Sequence, residues 1–495
     1  MAMKLSGRAA AITLFCLLIP VAQGAELADH PKVKGNIALL VRWLEAHQIY
    51  ERVPGLSVGV VYGDELVWEA GYGYANVRRR TPATADTLYS ICSISKLFTS
   101  IALMQQRDAG RLQLDDTVAS HLDWFDLPQA HADSGPITVR TLLTHSSGLP
   151  REAVGMYWNP DYPFPTREVL IAGLSDQETL YPASTFFQYS NLALTLVGEI
   201  AAARAGMPYA ELVQAEILDP LELAETRPNF PEDLHGRELA YGYSALERSG
   251  DRRRVAAFDT AGIVPAAGFT SNVRDLASFA AWQLRLLEDG GEEVLKASTL
   301  REMQRVQWVD PNWKTTWGLG FNVSNTDGDT TVSHGGGCPG YTTGFALQPK
   351  HKIAVIVLTN ASGTDPFALI SGIYKVLRPA LQAAAEATED SAAPSDSAPE
   401  EAPADLSAYE GLYHSDPWAS EVALVQVEEQ LVVLSLPADD PSADQRKLEQ
   451  VDGDHFERIR EDDEGPGEGW FFERDDGGEI ISVRYHGSRM MKVGG

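Results

Sequence analysis

The feature that most constrains this chain is a serine and a lysine three residues apart, followed directly by an apolar run. The segment Ser93–Lys96 reads Ser-Ile-Ser-Lys, and nearly every residue of Leu97–Met104 is apolar. Residues three apart share one face of a helix, and a run that is apolar all round predicts a helix buried in a core. At the N-terminus of such a helix, free N–H groups and the helix dipole would stabilise an oxyanion. A desolvated lysine one turn along can lose its proton and act as a base.

The pattern has a simpler interpretation when it stands alone. Ser-x-x-Lys is frequent in proteins, and an N-cap serine followed by a helix lysine explains it without any chemistry. The functional interpretation therefore depends on further motifs along the chain.

Length and charge limit the classes of protein that need to be considered. The chain has 495 residues, enough for one large domain and a smaller one, and a formal net charge of −29. This charge disfavours nucleic acid or an anionic membrane surface as a partner and is typical of a solvated, secreted surface. The histidines are scattered, and no glycine loop follows a strand and opens a helix, so we predict no metal and no cofactor.

The N-terminal residues have the pattern of a secretory signal peptide. Lys4 and Arg8 form a positive region, Ala9–Val21 is an apolar stretch, and small residues at 22–24 suit a cleavage site. We therefore predict a signal peptide over residues 1–24, a mature chain from Ala25, and a periplasmic or secreted protein. The apolar stretch is too short to span a bilayer, so no stable membrane span is expected, although a retained anchor is the alternative.

The segments up to residue 380 alternate between strand and helix patterns. A hairpin is predicted from Leu56–Tyr62 into residues 65–69, and helices over Leu192–Ala203 and within Gly268–Leu287. Further strands are predicted, in order, at Trp317–Phe321, Asp329–Ser333, Thr343–Leu347 and Ile353–Thr359. Because strands come from both ends and helices fill the middle, we predict an α/β (α+β) domain over residues 25–380. Its mixed or antiparallel sheet would be flanked by helices, with an all-helical subdomain.

The composition changes after residue 380. Residues 381–405 are rich in Ala, Ser, Pro, Asp and Glu without an apolar period, which predicts a disordered linker. Beyond it, strands are predicted at Val422–Val427, Leu431–Leu436, Trp470–Glu473 and Ile480–Tyr485, with a polar loop at residues 461–464. Residues 406–495 therefore predict a small antiparallel β-barrel or sandwich.

Three motifs in register carry a resemblance to a known family. Ser93-x-x-Lys96, Tyr189-x-Asn191 and His334-Gly335-Gly336 follow in that order. Their order and spacing resemble the serine β-lactamase and penicillin-binding-protein superfamily, in its class C and carboxypeptidase branch. The stretches Leu142–Leu149 and Pro265–Asp275 are also similar to that family, and the likeness covers about Val53–Leu377. Leu406–Tyr413 resembles the opening of the lipocalin-like barrel appended to many of these hydrolases.

The resemblance implies a role for each motif residue. Ser93 would be the acylated nucleophile, Lys96 its base, and Tyr189 a partner of Lys96 whose phenol proton is lost or shared in a cationic field. Asn191 would hold Lys96 and the substrate amide. The backbone N–H groups of Ser93 and Gly337 would form the oxyanion hole, with His334 and Gly336 lining the substrate site.

His334 departs from the pattern of the class C β-lactamases, which usually carry lysine at this position. A mostly neutral histidine weakens the cation available to a β-lactam or to a C-terminal carboxylate. Carboxypeptidases, D-amino-acid peptidases and esterases of the family do carry histidine there. Another histidine, His145, is expected to shape a loop, not to act as a base.

Cys92 and Cys338 are the two cysteines of the predicted mature chain, and each flanks a motif. A disulfide between them is conceivable, but small buried free cysteines are the commoner arrangement, and free thiols are the expectation here.

These observations predict an exported serine hydrolase that forms an acyl-enzyme on amide or ester bonds of a small-molecule or peptide substrate. It would be a D-amino-acid peptidase, a carboxypeptidase or an esterase. The alternatives are a β-lactamase, which His334 disfavours, and a penicillin-binding receptor that stays acylated. The barrel could limit substrate size or mediate oligomerisation, or be a stabilising appendage without chemistry.

Overall fold

A computed structural model describes residues 27–159, 163–326, 328–391, 405–460 and 466–493. The predicted signal peptide and the predicted polar loop at residues 461–464 lie outside the described residues.

The α-helices are numbered in chain order: α1 (Pro31–Tyr50), α2 (Ser95–Asp108), α3 (Val139–Leu143), α4 (Arg167–Ala172), α5 (Asn191–Ala205), α6 (Tyr209–Val213), α7 (Val264–Ala267), α8 (Val273–Asp289), α9 (Ala297–Met303) and α10 (Pro366–Ser391).

The strands of the first domain are β1 (Gly55–Tyr62), β2 (Glu65–Asn76), β3 (Thr81–Pro82), β4 (Tyr89–Cys92), β5 (Phe269–Ser271), β6 (Glu292–Glu293), β7 (Leu295–Lys296), β8 (Trp308–Val309), β9 (Thr316–Trp317), β10 (Asn322–Thr326), β11 (Asp329–Cys338), β12 (Tyr341–Gln348) and β13 (Ile353–Thr359). The strands of the second domain are β14 (Gly411–Ser415), β15 (Ser420–Val427), β16 (Gln430–Leu436), β17 (Gln445–Asp452), β18 (His455–Ile459), β19 (Pro466–Arg474), β20 (Ile480–Tyr485) and β21 (Ser488–Lys492).

A nine-stranded sheet organises the first domain, in the order β3-β2-β1-β13-β12-β11-β10-β9-β8. Every neighbouring pair is antiparallel, and β1 pairs with β13 from Leu56 to Tyr62. The first and last strands of the domain therefore meet inside one sheet, while the chain between them supplies all the helices except α1 and α10. This confirms the predicted α/β (α+β) class.

Both faces of the sheet are buried, which accounts for the apolar runs of its central strands. In β13, Ala354, Ile356 and Leu358 join the core shared with α2, α5 and α8. The alternate residues Ile353, Val355 and Val357 join the core shared with α1 and α10. A strand covered on both faces loses the alternation of polar and apolar residues that marks a half-exposed one.

Helix α2 is buried on all sides, as its apolar run predicts. It packs against α5 and α7, and the Phe98 ring stacks on that of Phe279 from α8 with their centroids 4.4 Å apart. Gly110, with φ +72°, follows the end of the helix in the left-handed region that favours glycine. The helix that begins directly after the nucleophile is thus held rigidly by the core.

Two strand predictions in the first domain are corrected. Trp317–Phe321 is not one strand: β9 ends at Trp317 and β10 begins at Asn322, and Gly320 between them has φ +84°. The glycine run does not follow a strand at Asp329–Ser333 but lies inside β11, which continues to Cys338.

The predicted linker is also shorter at its N-terminal end. α10 runs to Ser391, and Leu381 and Ala384 are buried in the core with α1. The alanine-rich segment therefore continues a packed helix, because alanine is the strongest helix former and an alanine face packs closely. Residues 392–404 lie outside the described residues.

The second domain is a closed antiparallel barrel of eight strands, β14 to β21. All four predicted strands are present; β14, β17, β18 and β21 were not predicted. The barrel packs on α1, where Gly35 allows close approach because a Cβ there would lie 2.8 Å from the Gln426 carbonyl oxygen. The Trp43 indole N–H donates to the Ala438 carbonyl oxygen at 2.8 Å.

Across the described residues, no helix is both long enough and apolar enough to cross a membrane.

Candidate active site

The predicted nucleophile and base lie next to each other at the start of α2. Ser93 occupies the turn between β4 and α2, and Lys96 Nζ lies 3.0 Å from Ser93 Oγ. Ser95 fixes this turn, since its hydroxyl donates to the Cys92 carbonyl oxygen at 2.5 Å and accepts from the Phe269 N–H at 3.0 Å. The middle serine of the motif therefore positions the nucleophile, a role that the sequence analysis did not assign.

The contacts of Lys96 indicate how its amine group is oriented towards Ser93. Nζ also lies 2.8 Å from Asn191 Oδ1 and 2.6 Å from the Ala266 carbonyl oxygen, and both oxygens can only accept hydrogen bonds from it. Burial lowers the pKa of the Lys96 amine well below its usual value. A neutral amine has two N–H groups, which the two oxygens satisfy, and a lone pair, which is left for the Ser93 hydroxyl proton. This is the arrangement of a general base beside its nucleophile.

The amide nitrogen of the Asn191 side chain is bound by a carboxylate that the sequence analysis missed. Asn191 Nδ2 donates to Glu152 Oε1 at 2.6 Å, and the Tyr157 hydroxyl donates to Glu152 Oε2 at 2.7 Å. Glu152 thereby fixes the Asn191 amide with its oxygen towards Lys96. The predicted contact between Asn191 and a substrate amide would have to compete with this bond. The residue follows the Leu149-Pro150 loop, and no spacing in the sequence indicates its role.

Tyr189 lies at the junction that leads into α5, as predicted, and its ring is 4.9 Å from Lys96 Nζ. Burial raises the pKa of its phenol, and the hydrogen bond with Ser93 only partly offsets this rise. This direction favours a phenol that keeps its proton at rest, and a phenol proton that is lost or shared in a cationic field stays a prediction. Burial thus shifts the pKa values of the Lys96 amine and the Tyr189 phenol in the directions that favour their uncharged forms.

Aromatic rings and one cation surround Tyr189. The His145 ring lies 4.3 Å from the Tyr189 ring and the Trp317 ring lies 6.2 Å from it, while the Arg151 guanidinium carbon lies 5.0 Å from its centroid. His145 Nδ1 accepts from the Ser190 N–H at 3.1 Å, and burial lowers the pKa of its imidazole. These contacts agree with the prediction that His145 shapes a loop. Arg151 was not predicted.

His334 reaches the same cluster from β11. Its ring centroid is 6.2 Å from that of Tyr189, and its Nδ1 lies 2.7 Å from the Gly335 carbonyl oxygen, which can only accept. Burial lowers the pKa of His334 to about 3, so the imidazole is neutral at pH 7. The position occupied by lysine in class C β-lactamases therefore carries no charge here.

The glycines after His334 allow β11 to approach the nucleophile. A Cβ on Gly336 would lie 2.2 Å from the Ile91 carbonyl oxygen, so only glycine fits against β4. Gly337 is exposed and a Cβ there would contact nothing within 4 Å, and together with Ser93 it lines one cavity. This placement is compatible with the predicted oxyanion hole.

A disulfide joins the two strands that carry the predicted oxyanion donors. Cys92 and Cys338 are bonded, with their Cα atoms 5.8 Å apart. Cys92 directly precedes Ser93, and Cys338 directly follows Gly337. The expectation of free thiols is therefore wrong. The sequence offered only the number of cysteines, whereas the fold places β4 and β11 side by side.

The cavity in front of Ser93 has a volume of about 850 Å³ and opens along one edge of β11. β10 pairs only with Asp329–Ser333, so the segment from His334 to Cys338 pairs on a single side, with β12. None of the described residues that line this cavity belongs to the barrel. Beyond Pro339 lies a second cavity of about 590 Å³, whose described lining includes the aromatic residues Tyr157, Trp158, Phe164 and Phe258.

Comparison with known proteins agrees with this geometry. Residues 40–377 match the family model described as Beta-lactamase. The chain belongs to this family. The match covers all the residues predicted to act at the site.

Two relatives and one solved structure illustrate the likeness. The chain is 27% identical to Beta-lactamase-like protein 2 of Dictyostelium discoideum over 67% of its length, and 26% identical to Unguisins hydrolase ungD' of Aspergillus campestris, also over 67%. These alignments span 60% and 63% of the relatives' own lengths. The structure of the octameric penicillin-binding protein homologue from Pyrococcus abyssi shares the fold. It has a TM-score of 0.59 and 24% identity, and the match covers 92% of this chain and 100% of that one.

Proposed function

We propose that this chain is a serine hydrolase that cleaves amide or ester bonds through an acyl-enzyme on Ser93. The observation that carries the proposal is the contact between Ser93 Oγ and Lys96 Nζ, 3.0 Å apart, while Nζ also lies within hydrogen-bond distance of two oxygens that can only accept. The similarity to a relative whose name describes it as a hydrolase, at 26% identity, supports the proposal.

The site suggests how each step would proceed. Lys96 takes the Ser93 proton as the oxygen attacks the carbonyl carbon, and the N–H groups of Ser93 and Gly337 stabilise the resulting oxyanion. Tyr189, protonated at rest and next to Lys96, gives a proton to the leaving atom and is reprotonated by Lys96. A water molecule then attacks the acyl-enzyme through the same groups in reverse.

The neutral His334 favours an esterase or a D-amino-acid peptidase over a β-lactamase, whereas a carboxypeptidase, whose substrate also presents a carboxylate, is supported only by the family resemblance. A β-lactam presents a carboxylate next to the reacting ring, and His334 supplies no cation at pH 7. A receptor that stays acylated is the second alternative, and the close placement of Lys96 and Tyr189 disfavours it because both groups would also promote deacylation.

The test follows the intact mass of the protein over time with benzylpenicillin in one sample and a short-chain activated ester in another. We expect a transient ester adduct that Ser93→Ala abolishes and that Ser371→Ala, at another serine lining the cavity, retains. A lasting penicillin adduct would instead favour the receptor or a carboxypeptidase. Turnover in clean Ser93→Ala protein would refute the mechanism.

We also propose export to the periplasm or the medium. The signal-peptide pattern of residues 1–24 and the buried Cys92–Cys338 disulfide support it, since disulfides persist in oxidising compartments. N-terminal sequencing of protein from the periplasm and medium of an expressing cell should read from about Ala25. Protein found only in the cytoplasm with an intact N-terminus would contradict export.

Oligomerisation through the barrel is a further prediction, supported by the octameric state named for the Pyrococcus abyssi homologue. Light scattering on the full chain and on a variant that ends at residue 391 measures it. We expect the full chain to be larger than a monomer and the shortened one to be monomeric. An oligomer that persists without the barrel would place the contact elsewhere.

A further inference from the structure

The cavity in front of Ser93 continues as a groove with a polar floor. The floor is formed by three cross-strand pairs of β10 and β11, namely Asn322–Ser333, Ser324–Thr331 and Thr326–Asp329. Directly opposed residues project from the same face of a sheet, and all six line the cavity. The next positions on this face are Gly335 and Gly337. The Phe367 ring lies over Gly335, where a Cβ would stand 2.8 Å from it, while Gly337 is open, and both glycines line the same cavity as Ser93.

One face of α10 forms the wall of the groove. Phe367, Ile370 and Tyr374 line it, with Arg378 one turn further. By the rise of a strand, the floor from Gly337 to Asp329 measures roughly 27 Å. This length exceeds what a single leaving residue requires.

The charges along the floor and the α10 wall of the groove, away from Arg151, are already paired within the protein. The Asp329 carboxylate accepts from Arg378 at 2.5 Å and from His351 at 2.6 Å, and the Lys375 ammonium donates to Asp440 at 2.5 Å. The remaining floor consists of hydroxyl and amide groups. The groove therefore suits an uncharged chain that can donate and accept hydrogen bonds.

Resting on the proposed function, we infer that this groove binds an extended peptide on the leaving-group side of the scissile bond. The polar pairs recur every two residues, roughly every 6.7 Å, which is also the repeat of an extended peptide. The leaving side is assigned because Tyr189, the proposed acid for the leaving atom, lines this same cavity. A glycan is the competing ligand class, because the wall presents the exposed Phe367 ring as a stacking surface, and the test below compares the two classes.

Acyl transfer tests the inference without knowledge of the natural substrate. A short-chain activated ester acylates Ser93 and releases its alcohol. An amine in the groove then attacks the acyl carbon, so that a C–N bond forms, the C–O bond to Ser93 breaks, and the amine proton passes to the Ser93 oxygen. Alaninamide to pentaalaninamide, in L and D series, serve as the amines. The readout is the ratio of acylated peptide to hydrolysed acid.

We expect the ratio to rise about tenfold from one residue to five in at least one series, as each residue adds hydrogen bonds. Thr331→Trp, which fills the floor, should remove this dependence on length. Thr330→Trp, one residue earlier on the opposite face, is the matched control and should keep it. If Thr331→Trp does not fold, Ser324→Tyr and its neighbour Asn325→Tyr form a second pair of the same design.

The outcomes separate the two proposals. If no acyl-enzyme forms in the native chain, the proposed function fails and this inference fails with it. If the acyl-enzyme forms but the ratio is independent of length, or rises equally in Thr331→Trp, only the groove assignment is overturned. If glucosamine oligomers of equal length are better acceptors than the peptides, the assignment to peptides is overturned.

Discussion

Replacing Lys96 by methionine removes an amine that the fold buries and whose pKa this burial lowers well below its usual value. In the unfolded chain this amine carries a proton, with an ordinary pKa of about 10.4. Removing that proton at pH 7 costs about 4.6 kcal/mol, because each of the roughly 3.4 pH units is worth about 1.36 kcal/mol. The native state carries this cost as long as the lowered pKa of Lys96 lies below 7. Methionine has similar length and no such cost.

The same substitution leaves two buried oxygens, Asn191 Oδ1 and the Ala266 carbonyl, without their N–H donor. Each loss costs about 1–3 kcal/mol and offsets part of the gain at any single pH. The loss of these two hydrogen bonds changes the free energy of unfolding by the same amount at every pH, so it does not alter how that free energy depends on pH. Because the unfolded chain binds one proton more than the native one at Lys96, the native chain gains stability as the pH rises. Relative to Lys96→Met, the gain is about 1.4 kcal/mol per pH unit up to about pH 10.

Guanidinium chloride unfolding of both proteins at pH 7, 8 and 9 measures this slope. Lys314→Met, at an exposed lysine in the turn between β8 and β9, is the control for removing a lysine. We expect Lys96→Met to lose acylation of Ser93 and to show the slope relative to the native chain. Parallel curves for the native chain and Lys96→Met across this range would mean that Lys96 keeps its proton in the fold, which would refute its role as the base.

Three further predictions concern groups around the site. The Glu152 carboxylate raises the pKa of Lys96, so in Glu152→Gln the acid limb of the pH profile of the acylation rate should move to lower pH. An acid limb at the same pH as in the native chain would show that Glu152 does not influence the pKa of Lys96. Replacing both Cys92 and Cys338 by alanine should lower the free energy of unfolding by roughly 2–4 kcal/mol and slow acylation, whereas an unchanged acylation rate would show that packing alone spaces the oxyanion donors. His334→Lys should shift selectivity towards carboxylate-bearing esters, measured against neutral esters of equal length, and equal selectivity would show that this position does not recognise charge.

The parts of the site that depend on local spacing could be predicted from the sequence. Ser93 and Lys96 are one helical turn apart, and Tyr189 precedes an apolar run that could only be a buried helix. The central strands were also predicted from local sequence, since Ile353–Thr359 is apolar up to Leu358 and lies in the middle of the sheet. In these cases the residues close in sequence determine the structure.

The contacts between distant segments could not be predicted in this way. Glu152 meets Asn191 across 39 residues, and Cys92 meets Cys338 only because β4 lies beside β11. The pKa of Tyr189 depends on burial by several elements, so its direction also needed the fold. The end of α10 was missed because an alanine-rich segment is compatible with both a linker and a packed helix.

The disulfide also has a topological consequence. It closes a covalent ring with a sequence separation of 246 residues, and Ser93, Lys96, Tyr189, Asn191 and His334 all lie within that ring. A single break of the backbone anywhere in it leaves the two pieces joined, whereas a break outside it releases a fragment that carries none of these groups. A protease that cuts one exposed loop of the ring would therefore leave a nicked protein of full mass. It would separate into two bands on a denaturing gel only after reduction.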